Sequence, residues 1–331
     1  MKVPIRLAFW AFAASLLATG CESGEMADPG THSSGGKASL SSERYSNWSE
    51  PVLLGPVNSG FNDQQPALSK DGLTLYFASN RPTDISDNVF DPNIWVTQRV
   101  CTSHACPWAA PEVLGPAVNG PFLDVSPTLS RDEHQLFFAS QRPNDHCSVT
   151  PCDRDFWVSY RENVHDDFGW QPAVSLPGGV NSTEEEVAPS YFENGDEGIP
   201  QLFFNRGDIV GDIYVSQMAS DGAWGSPTAV TEVNSASADQ RPSISHDGLT
   251  LYFWSNRDGG VAHIWLATRE SVSDPWSAPT LVPSPISDAP TLMPFIHSHG
   301  RTETLLFVRP FSPANSRDLW MSERTRSKGS E

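Results

Sequence analysis

Basic residues are scarce in this chain of 331 residues, which has 21 Lys and Arg against 40 Asp and Glu. The formal net charge is therefore −19 at pH 7. Nucleic acids and anionic lipid headgroups are bound through basic patches, so this charge argues against both as partners. Cationic partners and divalent ions stay open.

Long apolar runs are lacking after residue 20, and the first 20 residues predict an export signal, with Lys2 and Arg6 ahead of a short apolar run. The run ends in L-A-T-G-C at Cys21, which resembles the lipobox of bacterial lipoproteins. That resemblance implies lipidation of Cys21; the alternative is an ordinary secreted protein with a stray cysteine. Glu22 is not the Asp that retains enteric lipoproteins in the inner membrane, so we expect a cell-envelope protein, lipid-anchored at the outer membrane, with no other membrane contact.

Residues 22–44 are poor in apolar side chains and rich in Ser and Gly, which predicts a flexible tether with a root-mean-square span of roughly 25–30 Å. Residues 326–331 are interpreted as a disordered tail. The folded body is then expected to span residues 45–325.

Cysteine is rare, with 5 in the chain. After Cys21 the remaining four form two pairs of equal spacing, Cys101 with Cys106 and Cys147 with Cys152. Two local disulfides are expected in an exported protein. The alternative is one zinc site made from all four cysteines, but the repeats place the two pairs in loops on opposite faces.

Helical periodicity is also lacking after residue 20, whereas 28 Pro and 24 Gly indicate many short strands joined by turns. A tryptophan-containing segment recurs five times, at intervals of 60, 62, 54 and 52 residues, and this period is typical of a repeat array. The copies start at Trp48, Trp108, Trp170, Trp224 and Trp276.

Two other segments recur in the same array. One is a Pro followed by Ser-x-Asp-Gly and an apolar run, as in PALSKDGLTLYFASNR from Pro66, with degraded copies from Pro189 and Pro290. The other is a short apolar run around an aromatic residue, the last of which is Trp320. The final unit lacks its tryptophan segment, and the surplus copy stands at the N-terminus. The sequence therefore predicts an all-β, five-bladed β-propeller of four-stranded blades, with residues 48–57 completing the last blade.

The P-x-x-S-x-D-G turn, the L-Y-F-x-S-N-R strand and the I-W strand resemble the WD-like β-propeller repeat of the TolB type. This resemblance implies a protein-interaction module, for which we expect an envelope protein or a glycan as the partner. The α/β domain that precedes the TolB propeller is lacking here, so TolB's own partners do not carry over.

An acid precedes each Pro segment and an Arg ends each following strand. The acids are Asp63, Asp124, Glu186, Asp239 and Asp288, and the arginines are Arg81, Arg142, Arg206, Arg257 and Arg309. We expect them at one mouth of the central channel, either as structural pairs that staple each hairpin or as a ring that binds a cation or a glycan.

A calcium ion is the one cofactor that the sequence suggests. The long loop of the first unit contains Asp84, Asp87 and Asp91, with Asn88 and Asn93, and oxygen-rich sets of this kind suit calcium. The alternative is that this is an ordinary solvated loop, because Asp-rich loops are common at protein surfaces. His297 and His299 could share a metal, although turn histidines usually only face solvent.

Nucleophilic catalysis finds little support, because the sequence has no Gly-x-Ser-x-Gly and no free cysteine with a plausible histidine. We therefore expect a binding module rather than an enzyme. The alternative is a glycan-active hydrolase or lyase, since five-bladed propellers include glycoside hydrolases with carboxylates at the channel mouth. Glu186 and Asp124 are its candidate residues, although an adjacent Arg is expected to lower the pKa of each ring acid.

Overall fold

The computed structural model describes residues 45–85, 91–103, 106–148, 151–194, 198–207, 210–311 and 316–327. They form five antiparallel sheets of four strands each, and the long strands have six to ten residues. In chain order the strands are β1 (Val52–Leu53), β2 (Asp63–Leu68), β3 (Thr74–Ser79), β4 (Asn93–Gln98), β5 (Glu112–Val113), β6 (Asp124–Leu129), β7 (Gln135–Ser140), β8 (Asp155–Tyr160), β9 (Val174–Ser175), β10 (Glu186–Phe192), β11 (Gln201–Arg206), β12 (Asp212–Gln217), β13 (Thr228–Ala229), β14 (Asp239–Ile244), β15 (Thr250–Ser255), β16 (His263–Thr268), β17 (Thr280–Leu281), β18 (Leu292–His299), β19 (Thr302–Phe311) and β20 (Ser316–Thr325).

The predicted five-bladed propeller is confirmed, including its closure. The sheet order β1-β20-β19-β18 places the N-terminal strand at the outer edge of the last blade. Val52 pairs with Met321 and Leu53 with Trp320, and the backbone N–H of Ser49 donates to Glu323 at 2.8 Å. The first and last parts of the described chain thus share one sheet.

Each blade is apolar on both faces because it packs between two neighbours. In β3, the consecutive residues Leu75, Tyr76, Phe77 and Ala78 are all fully buried. Odd and even positions of such a strand face opposite blades, so one strand contributes to two interfaces. Five hydrophobic clusters result, one between each pair of neighbouring blades.

The innermost strand of every blade contains a β-bulge, and the bulge has the same construction in all five. A residue with positive φ, between 53° and 57°, precedes a proline in each, and the ladder register shifts there. The five positive-φ residues are Gln65, Ser126, Ala188, Arg241 and Met293. Proline is tolerated because the free edge of the inner strand faces the channel and has no partner strand for the missing N–H. These bulges line the middle of the channel.

No helix in the part of the chain that the structure describes is long and apolar enough to cross a membrane. The predicted signal, the lipidation residue Cys21 and the tether lie outside the described residues.

Candidate functional site

The first residue of the inner strand is a buried acid in four of the five blades. Asp63, Asp124, Glu186 and Asp239 are all 0% exposed. Each accepts a hydrogen bond from the Arg that follows the second strand or ends it. The pairs are Arg81–Asp63 at 2.8 Å, Arg142–Asp124 at 2.6 Å, Arg206–Glu186 at 2.7 Å, and Arg257–Asp239.

Further contacts hold the acid in place, as blade two illustrates. The backbone N–H of Gly120 donates to Asp124 Oδ2 at 2.7 Å, and Arg142 Nη2 also donates to the carbonyl of Val118 at 2.6 Å. The guanidinium carbon of Arg142 lies 5.1 Å from the ring centre of Trp157. Repetition of this arrangement in the first four blades shows that it closes the hairpin end in each.

Burial outweighs the arginine at two of these acids, contrary to the expectation that the adjacent Arg lowers their pKa. Desolvation raises the pKa of Asp124, although Arg142 opposes the shift. Desolvation likewise raises the pKa of Glu186 to about 7, against the hydrogen bond from Ser182 and the charge of Arg206. The sequence shows which Arg lies beside each acid, but it does not show how much water the acid loses on burial. The expectation of a lowered pKa was therefore wrong for Asp124 and Glu186.

Glu186 also meets a second carboxyl group, which the sequence did not reveal. Asp155, the first residue of β8 in the preceding blade, is buried and hydrogen-bonded to Glu186. Asp155 Oδ2 accepts a hydrogen bond from the side chain of Asn144. Asp155 Oδ1 is buried, and among the described residues only a protonated Glu186 could donate a hydrogen bond to it. Burial raises the pKa of Asp155 as well. The charge of Asp155 adds to the burial of Glu186, and both raise the pKa of Glu186.

Blade five departs from the expected pattern. Asp288 is exposed in a 3-10 turn, Ile286–Asp288, where it accepts a hydrogen bond from Ser284 at 2.9 Å. Thr291 occupies the position three residues before the bulge proline, which is Pro294 rather than Pro290. Arg309 instead donates to the backbone carbonyls of Pro285 and Ile286, each at 3.1 Å. The ring of five acids expected from the sequence is thus a set of four.

Both predicted disulfides are present, Cys101–Cys106 and Cys147–Cys152. The first lies between β4 and β5 and the second between β7 and β8. The zinc alternative is therefore wrong.

The described residues contain no group of three or more His, Cys, Asp or Glu that could hold a metal ion. Asp84 and Asp91 are described, whereas Asp87 and Asn88 lie outside the described residues, so calcium in this loop stays a prediction. Asn93 is buried at the start of β4 rather than in the loop. His297 and His299 lie near the end of β18, and their rings stack at 6.4 Å.

Sequence reasoning missed a pocket at the opposite end of the channel, where the first hairpin of each blade turns. It has a volume of about 120 Å³ and is lined by Lys70, Arg131, Glu133, Tyr191 and Glu193, among others. One signal was present: blade two has Asp-Glu in this turn, where blades one and four have Asp-Gly.

No protein-family model matches the chain, and no curated protein matches its sequence. Its fold is similar to that of solved glycoside hydrolases. The catalytic domain of a GH62 alpha-L-arabinofuranosidase from Coprinopsis cinerea has 14% identity and a TM-score of 0.56, with 87% of this chain and 98% of that chain covered. An endo-arabinase from Bacteroides thetaiotaomicron has 16% identity and a TM-score of 0.55, with 81% and 95% covered. An alpha-L-arabinofuranosidase from Lactobacillus brevis has 14% identity and a TM-score of 0.55, with 85% and 95% covered.

These comparisons correct the expected resemblance to TolB-type repeats, which is wrong. The structures named above resemble this chain over more than four fifths of its length, and they are glycoside hydrolases rather than TolB-type proteins. The short turn and strand motifs that suggested TolB are needed to form a blade, so they do not distinguish one propeller family from another. At these identities the likeness establishes the fold, a five-bladed β-propeller.

Proposed function

We propose that this protein acts on glycans, and that its activity is hydrolysis of a glycosidic bond with Glu186 as the proton donor. Asp124 of the neighbouring blade would supply the second carboxyl group. Hydrolysis was the alternative that the sequence suggested, whereas an interaction module was its first expectation.

The observation that carries this proposal is the pKa of Glu186, raised by burial to about 7. Glycoside hydrolysis requires one carboxyl that stays protonated at the working pH, so that it can protonate the leaving oxygen. An unperturbed glutamate would be ionised under those conditions. The nearby charge of Asp155 also raises the pKa of Glu186, which favours its protonated form. The glycoside hydrolases of similar fold support the substrate class.

The test is release of sugar from arabinan and arabinoxylan, chosen because the structural neighbours are named for arabinose-containing substrates. Glu186→Gln should reduce the turnover by about 10²–10⁴-fold, the usual contribution of a general acid. Wild-type turnover should fall as the pH rises through about 7, because Glu186 then loses its proton. Asp239→Asn, which alters the corresponding acid of blade four, is the matched control and should keep most of the activity.

Glycan binding without cleavage is a second candidate, and the complete burial of the four acids favours it. A carboxyl group that is 0% exposed and paired with Arg can donate a proton to a glycan only after neighbouring side chains move to expose it, whereas binding alone needs no such movement. A wild-type protein that binds oligosaccharides but releases no sugar would select this candidate and refute hydrolysis.

A further inference from the structure

The pocket at the hairpin end lies far from the acid–Arg pairs. The six residues of an inner strand span roughly 20 Å, so the two ends of the channel are separate places. Leu68, Ile244 and Ile296 form a buried apolar wall. Glu133 and Glu193 contribute polar groups to the same pocket.

Glu133 occupies a backbone position that normally favours glycine. Its φ is 63°, and the corresponding turn residues of blades one and four are Gly72 and Gly248, with φ of 72° and 71°. A non-glycine residue is strained in this region, and such strain clusters at functional sites. Here the strained residue carries a carboxyl group that lines the pocket and accepts the backbone N–H of Lys70 at 2.5 Å.

The pocket is narrowed at its base. Phe295 lines both the pocket and the channel below it, where the cavity is only about 40 Å³. Deeper still, Arg241 of blade four reaches Ser126 of blade two at 3.5 Å across the channel. A ligand that enters from the hairpin end therefore meets a floor, and a long chain cannot thread through.

We infer that this pocket binds the terminal sugar of a neutral glycan chain. The inference rests on the proposed function for the class of ligand. An apolar wall with a few convergent polar groups is the usual construction of a small-ligand site. A sugar ring matches it, because the ring has apolar C–H faces and hydroxyl groups at its edge.

Size and charge define the ligand further. A volume of about 120 Å³ is well below the roughly 300–1,000 Å³ of sites for drug-sized molecules, which leaves room for one ring. Glu193 accepts a hydrogen bond from the Tyr191 hydroxyl at 2.9 Å. The two carboxylates, Glu133 and Glu193, are balanced by Lys70 and Arg131 on the same lining, so the pocket favours a neutral sugar over an acidic one. The net charge of −19 acts in the same direction.

The experiment measures binding of xylotriose and arabinotriose by calorimetry to the wild-type protein and to two pocket variants. Glu133→Gly gives blade two the turn residue of blades one and four, so its melting temperature should be equal or higher while its affinity falls at least tenfold. Phe295→Leu alters the floor with little change in volume and should also weaken binding. Glu162→Gly, an exposed acid in the same blade, is the control and should bind as the wild type does.

Longer xylan should bind in proportion to its chain ends rather than to its number of sugars. Unchanged affinity in both pocket variants, or no binding by the wild type, would overturn the inference. Glu186→Gln separates it from the proposed function, since that variant should lose hydrolysis and keep binding. Pocket binding without any hydrolysis refutes the function alone, and hydrolysis with unaltered binding in the pocket variants refutes the inference alone.

Discussion

Arg206 Nε lies 2.7 Å from Glu186 Oε1, a distance typical of an ion pair, yet the pKa of Glu186 is raised to about 7. The cause is the loss of water around a side chain that is fully buried between two blades. At Glu186, desolvation of the carboxylate costs more than the guanidinium of Arg206 returns, and the charge of Asp155 acts in the same direction as desolvation. The protonation state of this residue therefore depends on burial and on a neighbour from another blade, not only on the Arg that the sequence places beside it.

A pH dependence of stability follows from the raised pKa of Glu186. In the unfolded chain this group titrates near 4.5 and in the folded protein near 7, so the folded state holds more protons between these values. Stability contributed by this group is therefore present at low pH and is lost as the pH rises through that window. We expect the melting temperature of the wild type to fall from pH 5 to pH 8, with a smaller slope for Glu186→Gln.

The exposed neighbour Glu184 provides the control for that experiment. Glu184→Gln removes the same formal charge without the buried environment and should keep the wild-type slope. Equal slopes for the wild type and Glu186→Gln, measured by calorimetry at matched ionic strength, would contradict the assignment.

Among the elements, the connection between β7 and β8 links the second disulfide to Asp155, the carboxyl group beside Glu186. Asn144 donates to Asp155, and its side-chain oxygen accepts the N–H of Cys147 at 3.0 Å. Cys152 then closes the connection immediately before β8. The loop thus positions Asp155 against Glu186.

Removal of this disulfide should cost about 2 kcal/mol, the chain-entropy value for so short a loop. The disulfide between Cys101 and Cys106 has the same separation of 5 residues and serves as the matched comparison. Cys152 is buried whereas Cys101 and Cys106 are partly exposed, so Cys147→Ala/Cys152→Ala should lose more stability than Cys101→Ala/Cys106→Ala. Urea unfolding of the two variants measures the difference, and a larger loss at the first pair would contradict this account.

For the whole molecule, closure of the ring depends on a short N-terminal segment. Trp48 packs between blades four and five, and Leu54 and Val57 pack between blades five and one. The same segment supplies the fourth strand of the last blade. Without it, the edge of that blade and two interfaces are left open.

Deletion of residues 45–58 should therefore destabilise the propeller by about 5 kcal/mol or more, since three buried apolar side chains contribute about 1.5–3 kcal/mol each. The uncovered edge of β20 should also promote aggregation. Deletion of residues 22–44, which the sequence predicts to be a tether, removes more chain but should leave the melting temperature nearly unchanged. Thermal unfolding and light scattering compare the two, and equal effects would refute the role assigned to the closing strand.

The sequence by itself determined the number of blades, the closing strand and the disulfides, because each follows from local patterns that repeat along the chain. Pairing of Ala67 with Tyr76 was predictable in the same way, from the Asp-Gly turn. The tertiary structure decided what depends on neighbours: the bulge that brings Asp63 opposite Ser79, the replacement of Asp288 by Thr291, and the carboxyl pair of Asp155 and Glu186. The physical reason is that burial and contacts between blades join residues tens of positions apart, and no local pattern records how much water each side chain loses.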